Sequence, residues 1–136
     1  MITPETMFDP LLLACPSFQE KWRAFVSDWE DEPETAQDGF PYYIALGDLA
    51  DHVTKRMKAK DTSEFAAIFR IVERWHVEGD HYVREAATIG FLEALQGCAS
   101  EKQKKAILEF WLLPESKKWW IKLNEFWDGN HDALRD

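Results

Sequence analysis

Residues 61–97 read DTSEFAAIFRIVERWHVEGDHYVREAATIGFLEALQG, and the fold class is decided in this stretch. Phe65, Ile68, Phe69, Val72 and Trp75 recur at steps of three and four, the spacing that lines one face of a helix rather than the alternation of a strand. Gly79 interrupts the pattern. Asp80 follows, a residue whose carboxylate suits the free N–H groups of a helix start, and a second run of the same period takes over: Val83, Ala86, Ala87, Gly90, Phe91, Ala94 and Leu95. The stretch predicts a helical hairpin, with Asp61-Thr62-Ser63-Glu64 opening the first arm and Gly97 ending the second as a left-handed terminator.

The same spacing extends outward in both directions. Downstream, Ser100 and Gln103 have capping-box spacing ahead of Ala106, Ile107, Phe110 and Trp111; Pro114 breaks that helix and opens a last one lined by Trp119, Trp120, Leu123, Phe126 and Trp127, which Gly129 stops. Upstream, Tyr43, Leu46, Ala50, Val53 and Met57 predict a helix over about 41–58. Before it, Phe18, Trp22, Phe25, Val26 and Trp29 predict one over about 17–30, with Ser17 and Glu20 in capping-box spacing. A short helix over about 4–14 ends near Pro16. Residues 31–40, polar and punctuated by Pro33 and Gly39, are expected to form a flexible loop, and 130–136 a polar tail. The expectation is a single all-α domain over 1–136, with about seven helices in antiparallel pairs and no strand.

The second arm, Asp80-His81-Tyr82-Val83-Arg84-Glu85-Ala86-Ala87 followed by spaced leucines, resembles the second helix of a HEAT repeat, whose pattern is Asp, then Val-Arg, then paired small residues. The resemblance implies that Ala86 and Ala87 let helix 62–78 pack closely and that Arg84 pairs with a neighbouring Asp. It covers one helix pair without a second clean copy, so HEAT-like stacking and a compact helical bundle both stay open. More broadly, Leu46-Gly47-Asp48-Leu49-Ala50, Ile71-Val72-Glu73-Arg74, Gly90-Phe91-Leu92-Glu93-Ala94-Leu95-Gln96 and the closing Trp-rich helix are similar to a family of small acidic bacterial helical proteins of unknown function. Such proteins are often regarded as immunity proteins of polymorphic toxin systems. The resemblance implies a non-catalytic antidote that occludes the active site of one cognate protein toxin, with a helical adaptor or regulatory subunit as the alternative.

Composition narrows the classes further. The 136 residues carry 25 acidic and 16 basic side chains, a formal net charge of −9, which disfavours nucleic-acid backbones and anionic membranes because both need a positive field. At 46% hydrophobic and 14% aromatic the chain is too apolar for disorder. Met1–Pro10 has no basic stretch, long apolar run or small-residue cleavage site, so a cytoplasmic protein is expected, with Cys15 and Cys98 unpaired and buried as small hydrophobes.

Signatures of phosphate loops, dinucleotide folds, nucleophile elbows and zinc helices are missing. Glu73 and His76 have the i, i+3 spacing of di-iron bundles, but those need the motif twice, so a surface or satisfied interior pair is expected. His76, Glu78 and His81 surround Gly79-Asp80 and read as a polar turn or as possible ligands at a helix junction, while Glu73, His76 and His81 are the residues that a metal-dependent helical enzyme would use. Cys15, Cys98, Ser27 and Ser63 lack an identifiable base or context. Catalytic residues, metal and cofactor are accordingly expected to be none.

The charge is unevenly placed. Residues 1–40 hold nine acidic side chains and two basic ones, most densely at Asp28, Glu30, Asp31, Glu32, Glu34 and Asp38, around Trp29. Such an edge raises association rates with a basic protein and makes these seven residues the candidate partner-binding site, the plainer alternative being a solvated loop. The tryptophans pose a similar choice between core and interface, since Trp119 and Trp120 point about 100° apart on a helix.

Overall fold

The computed structural model describes residues 1–32 and 39–135, in which seven helices follow one another. These are α1 (Pro4–Ala14), α2 (Gln19–Glu30, entered through a 3-10 turn, Pro16–Phe18), α3 (Tyr42–Lys58), α4 (Phe65–Glu78), α5 (81–98), α6 (101–111) and α7 (Pro114–Trp127). Among the described residues the only extended pairing is an isolated parallel bridge between Ile2 and Gly79. No described helix is long and apolar enough to cross a membrane.

The hairpin of residues 61–97 is present as α4 and α5, folded back on each other at Gly79-Asp80. Asp80 caps α5, accepting from the Val83 N–H at 2.9 Å. Gly79 is needed for a close approach: a Cβ there would lie 2.4 Å from the Trp75 carbonyl oxygen and 2.6 Å from Val83 Cγ1. Ile2 stitches onto the same turn, donating to Glu78 O at 2.9 Å and accepting from Asp80 N at 2.8 Å. Because a backbone oxygen cannot yield cheaply, Gly79→Ala is expected to destabilise the fold by about 2 kcal/mol, read from the urea midpoint at unchanged slope.

α5 runs through the middle of the molecule, against α3, α4 and α7. Its central stretch, Ala86–Leu92, widens into π-helical bonding, and Ile107–Trp111 of α6 does the same. The small residues expected to serve α4 are used more by α3, which packs along this stretch over more of its length. At Gly90 an added Cβ would sit 2.8 Å from Leu46 Cδ1. Arg84, expected to pair with a neighbouring Asp, makes no ion pair among the described residues and lies on a cleft wall.

The capping box at Ser100 forms, with Gln103 N to Ser100 Oγ at 3.1 Å and Ser100 N to Gln103 Oε1 at 2.9 Å. Pro114 opens α7, and Gly129 follows it with φ of 109°. Two expected caps differ. Gly97 stays inside the helix, because extended Ala99 leads directly into the Ser100 cap and no left-handed residue is required. Ser17 forms no box with Glu20, since its N–H and hydroxyl both turn to Glu64 on the far side of the chain.

Trp75 and Trp120 are buried at the centre with Phe18, Phe65, Phe69 and Phe91, and the Trp75 indole N–H donates to Met7 O at 3.0 Å. Trp22, Trp29, Trp111 and Trp119 are half-buried, and Trp127 is 59% exposed. Cys15 is buried as expected, but Cys98 is exposed because it ends α5 facing outward; both are free. The tail is not simply solvated: Ala133 is buried, and Leu134 joins the wall of the cleft described below.

Candidate functional site

The acidic edge expected from the sequence sits at the carboxyl end of α2. Asp28 and Glu30 occupy its last turn, Asp31 is the C-cap, and no basic residue stands in that turn. All three are exposed, as is Glu32. A helix ends in unpaired carbonyls that act as a partial negative charge, so each carboxylate there costs about 0.3–1 kcal/mol at low salt. Glu34 and Asp38 lie outside the described residues.

α2 contains no fully buried residue and is held by a seam of half-buried rings. Phe8 stacks on Trp22 at 4.3 Å between centroids, and Phe40 receives Trp22, Phe25 and Trp29 at 5.3, 5.5 and 5.1 Å. Trp29 therefore packs edge-to-face with Phe40 and is half-buried rather than presenting its whole ring to a partner. Its indole nitrogen is buried without a hydrogen-bond partner among the described residues.

A cleft of about 610 Å³ opens beside α5 and α7, with His76, Arg84, Thr88, Glu115 and Trp119 among its walls. His76 lies 3.0 Å from Val72 O through Nδ1, which fixes the proton on that nitrogen, and 3.1 Å from Ser116 Oγ; its Nε2 accepts from Thr88 Oγ1 at 3.0 Å. Burial presses the imidazole down to about 4 despite the nearby Glu73 and Glu115 carboxylates, so the ring is neutral. Glu73 accepts from Glu115 N at 2.9 Å, Ser116 N at 2.8 Å and Ser116 Oγ at 2.8 Å. It supplies from α4 the cap that α7 cannot make itself, its own N-cap being Leu113. The i, i+3 pair is an interior one with every partner assigned. His81 instead pairs with Glu85 on the surface at 3.3 Å, and Glu73, His76 and His81 bring no three ligand atoms together.

A second polar cluster joins three elements and was not legible as a site. Cys15 and Ser17 precede α2, His52 lies on α3, and Glu64 stands just before α4. Lys21 Nζ donates to His52 Nδ1 at 3.1 Å, which leaves His52 Nε2–H to donate to Ser17 Oγ at 2.7 Å, and Ser17 donates in turn to Glu64 Oε1. In this direction the histidine does not accept the serine proton, so Ser17 is not an activated nucleophile. Burial, followed by the Glu64 charge, pushes the Cys15 thiol up to about 11, while burial and then Lys21 hold His52 below its ordinary value. The sequence marks Ser17 and Glu64 only as helix starts and Cys15 only as a free thiol; His52 and Glu64 lie 35 and 47 residues from Ser17, and no spacing motif announces the cluster.

Seven helices, a charged helix end and two histidine-centred polar clusters define this all-α domain. The chain belongs to the family described as Domain of unknown function (DUF7674), which matches residues 8–128. No curated protein and no solved structure matches it.

Proposed function

We propose that this protein is a non-catalytic, cytoplasmic binding domain of the immunity type, which neutralises a cognate bacterial toxin by laying the acidic end of α2 over a positively charged active site. One observation carries the reading: Asp28, Glu30 and Asp31 are gathered, exposed and without a basic residue, where the helix dipole opposes them. A local choice that weakens the free protein is the mark of a surface shaped for something else, and a cationic partner relieves it. The HEAT-like hairpin and the likeness to immunity families support the same reading, as does His76, whose Nε2 lone pair is occupied by the Thr88 hydroxyl.

The test is co-purification with proteins encoded in the neighbouring genes, where an antidote's toxin is expected, followed by the Glu30→Lys/Asp31→Lys double variant. The variant is expected to bind at least about tenfold more weakly at low salt. It is also expected to be more stable than the parent, by about 0.3–1 kcal/mol per residue, because the new cations complement the helix end. Affinity that stays the same across a range of salt would remove the electrostatic part.

A further inference from the structure

The sequence predicts no metal, and the pair that came nearest to a metal motif, Glu73 and His76, is consumed by hydrogen bonds within the protein. The other cluster is hydrogen-bonded within the protein as well, but it gathers three ligand atoms. The Cys15 sulfur, a His52 ring nitrogen and a Glu64 carboxylate oxygen lie within 4.8 Å of one another, and they arrive from three separate elements. In a tetrahedral zinc site with bonds of about 2.0–2.3 Å the ligand atoms stand roughly 3.3–3.7 Å apart, so closing this set needs a contraction of about 1 Å. The Ser17 hydroxyl sits among them, 2.7 Å from His52 Nε2, 3.6 Å from Cys15 Sγ and hydrogen-bonded to Glu64 Oε1. It marks the point on which the three groups converge.

We infer that Cys15, His52 and Glu64 form a zinc-binding site, with the ion at the central point and the Ser17 hydroxyl shifted off it into the fourth position. The donor set is the argument for the metal: thiolate, imidazole and carboxylate together suit Zn²⁺, whereas Ca²⁺ and Mg²⁺ take oxygen alone. Charge balance favours it as well. A thiolate and a carboxylate neutralise the dication, so the buried site carries no net charge, whereas the metal-free cluster leaves a carboxylate beside a thiol with Lys21 as its nearby cation, reached through His52. Binding releases the Cys15 proton to solvent and moves the His52 proton from Nε2 to Nδ1, which displaces exposed Lys21 from that nitrogen. The consequence is mechanical: zinc ties the start of α2 to α3 and α4, fixing the one helix that has no fully buried residue.

The full chain, purified without chelator and then titrated with zinc and separately with cobalt, tests this. One zinc per chain is expected, with a rise in melting temperature that EDTA reverses and a cobalt thiolate charge-transfer band. Cys15→Ser and His52→Ala should weaken zinc by about a hundredfold or more and abolish the band or reduce it sharply, while Cys98→Ser leaves both as they were. If Cys15→Ser fails to fold, Glu64→Gln, which keeps an acceptor for Ser17, carries the same test. Absence of stoichiometric zinc, or a band that follows Cys98 instead of Cys15, overturns the site. Either result leaves the toxin-binding assay unaffected, so the two readings fail separately.

Discussion

Glu73→Ala is expected to cost about 4 kcal/mol of folding stability, more than a single side-chain hydrogen bond accounts for. The carboxylate holds two backbone N–H groups and a hydroxyl at the start of α7, and Leu113 offers no replacement. Removing it orphans three donors at once, each costing about 1–3 kcal/mol when buried, less whatever water recovers. Ser116 is wholly buried and also touches His76, so the loss spreads into the histidine's own bonds. Glu73→Gln keeps one acceptor oxygen and should lose about half as much. Urea unfolding of both variants checks the ranking; a loss below about 1 kcal/mol for alanine would mean that water caps α7 instead.

Acidification acts on the same network from the other side. His76 binds a proton near 4 when folded, against the ordinary 6.5 in the unfolded chain. Between those values the unfolded state holds the extra proton, so the contribution is intact above pH 6.5 and disappears as the pH falls towards 4. The depression amounts to about 3 kcal/mol, and the lowered His52 works in the same direction. Stability measured from pH 7 down to pH 4 should fall by that order in the parent. In His76→Gln it should fall much less, at the expense of a lower value at pH 7. Parallel curves for the two proteins would show that His76 is not the group responsible.

What the sequence made legible follows from the range of each interaction. Helix limits depend on neighbours three or four residues away, so Asp80, the Ser100–Gln103 box and Pro114 could be read directly, and the α4–α5 hairpin with them. Gly97 misleads because a glycine near a helix end signals termination, while the actual exit depends on how Ala99 enters the next cap. Ser17 misleads for the opposite reason: its local partner Glu20 is outcompeted by Glu64, 47 residues on. Glu73 ends as the cap of a helix distant in the sequence and Glu64 as the anchor of the 3-10 turn ahead of α2, roles that local spacing cannot display. The acidic edge was visible as charge, but that it opposes a helix dipole required knowing where α2 stops. The zinc cluster was invisible, its ligands being spread over residues 15–64.

The Ile2–Gly79 stitch sets an order of events during synthesis. The bonds to Glu78 and Asp80 cannot form until residue 80 has left the ribosome, and α1 docks mainly on α4, which emerges just before it. The first helix thus waits for its main partner while α2 and α3 are made, with Phe8 meeting Trp22 and Tyr42 as they form, and the Met7 carbonyl finds the Trp75 indole only then. Closure of this long loop is the step most exposed to chaperones and to misassociation, and amide exchange at Ile2 and Asp80 in stalled nascent chains would report when it occurs.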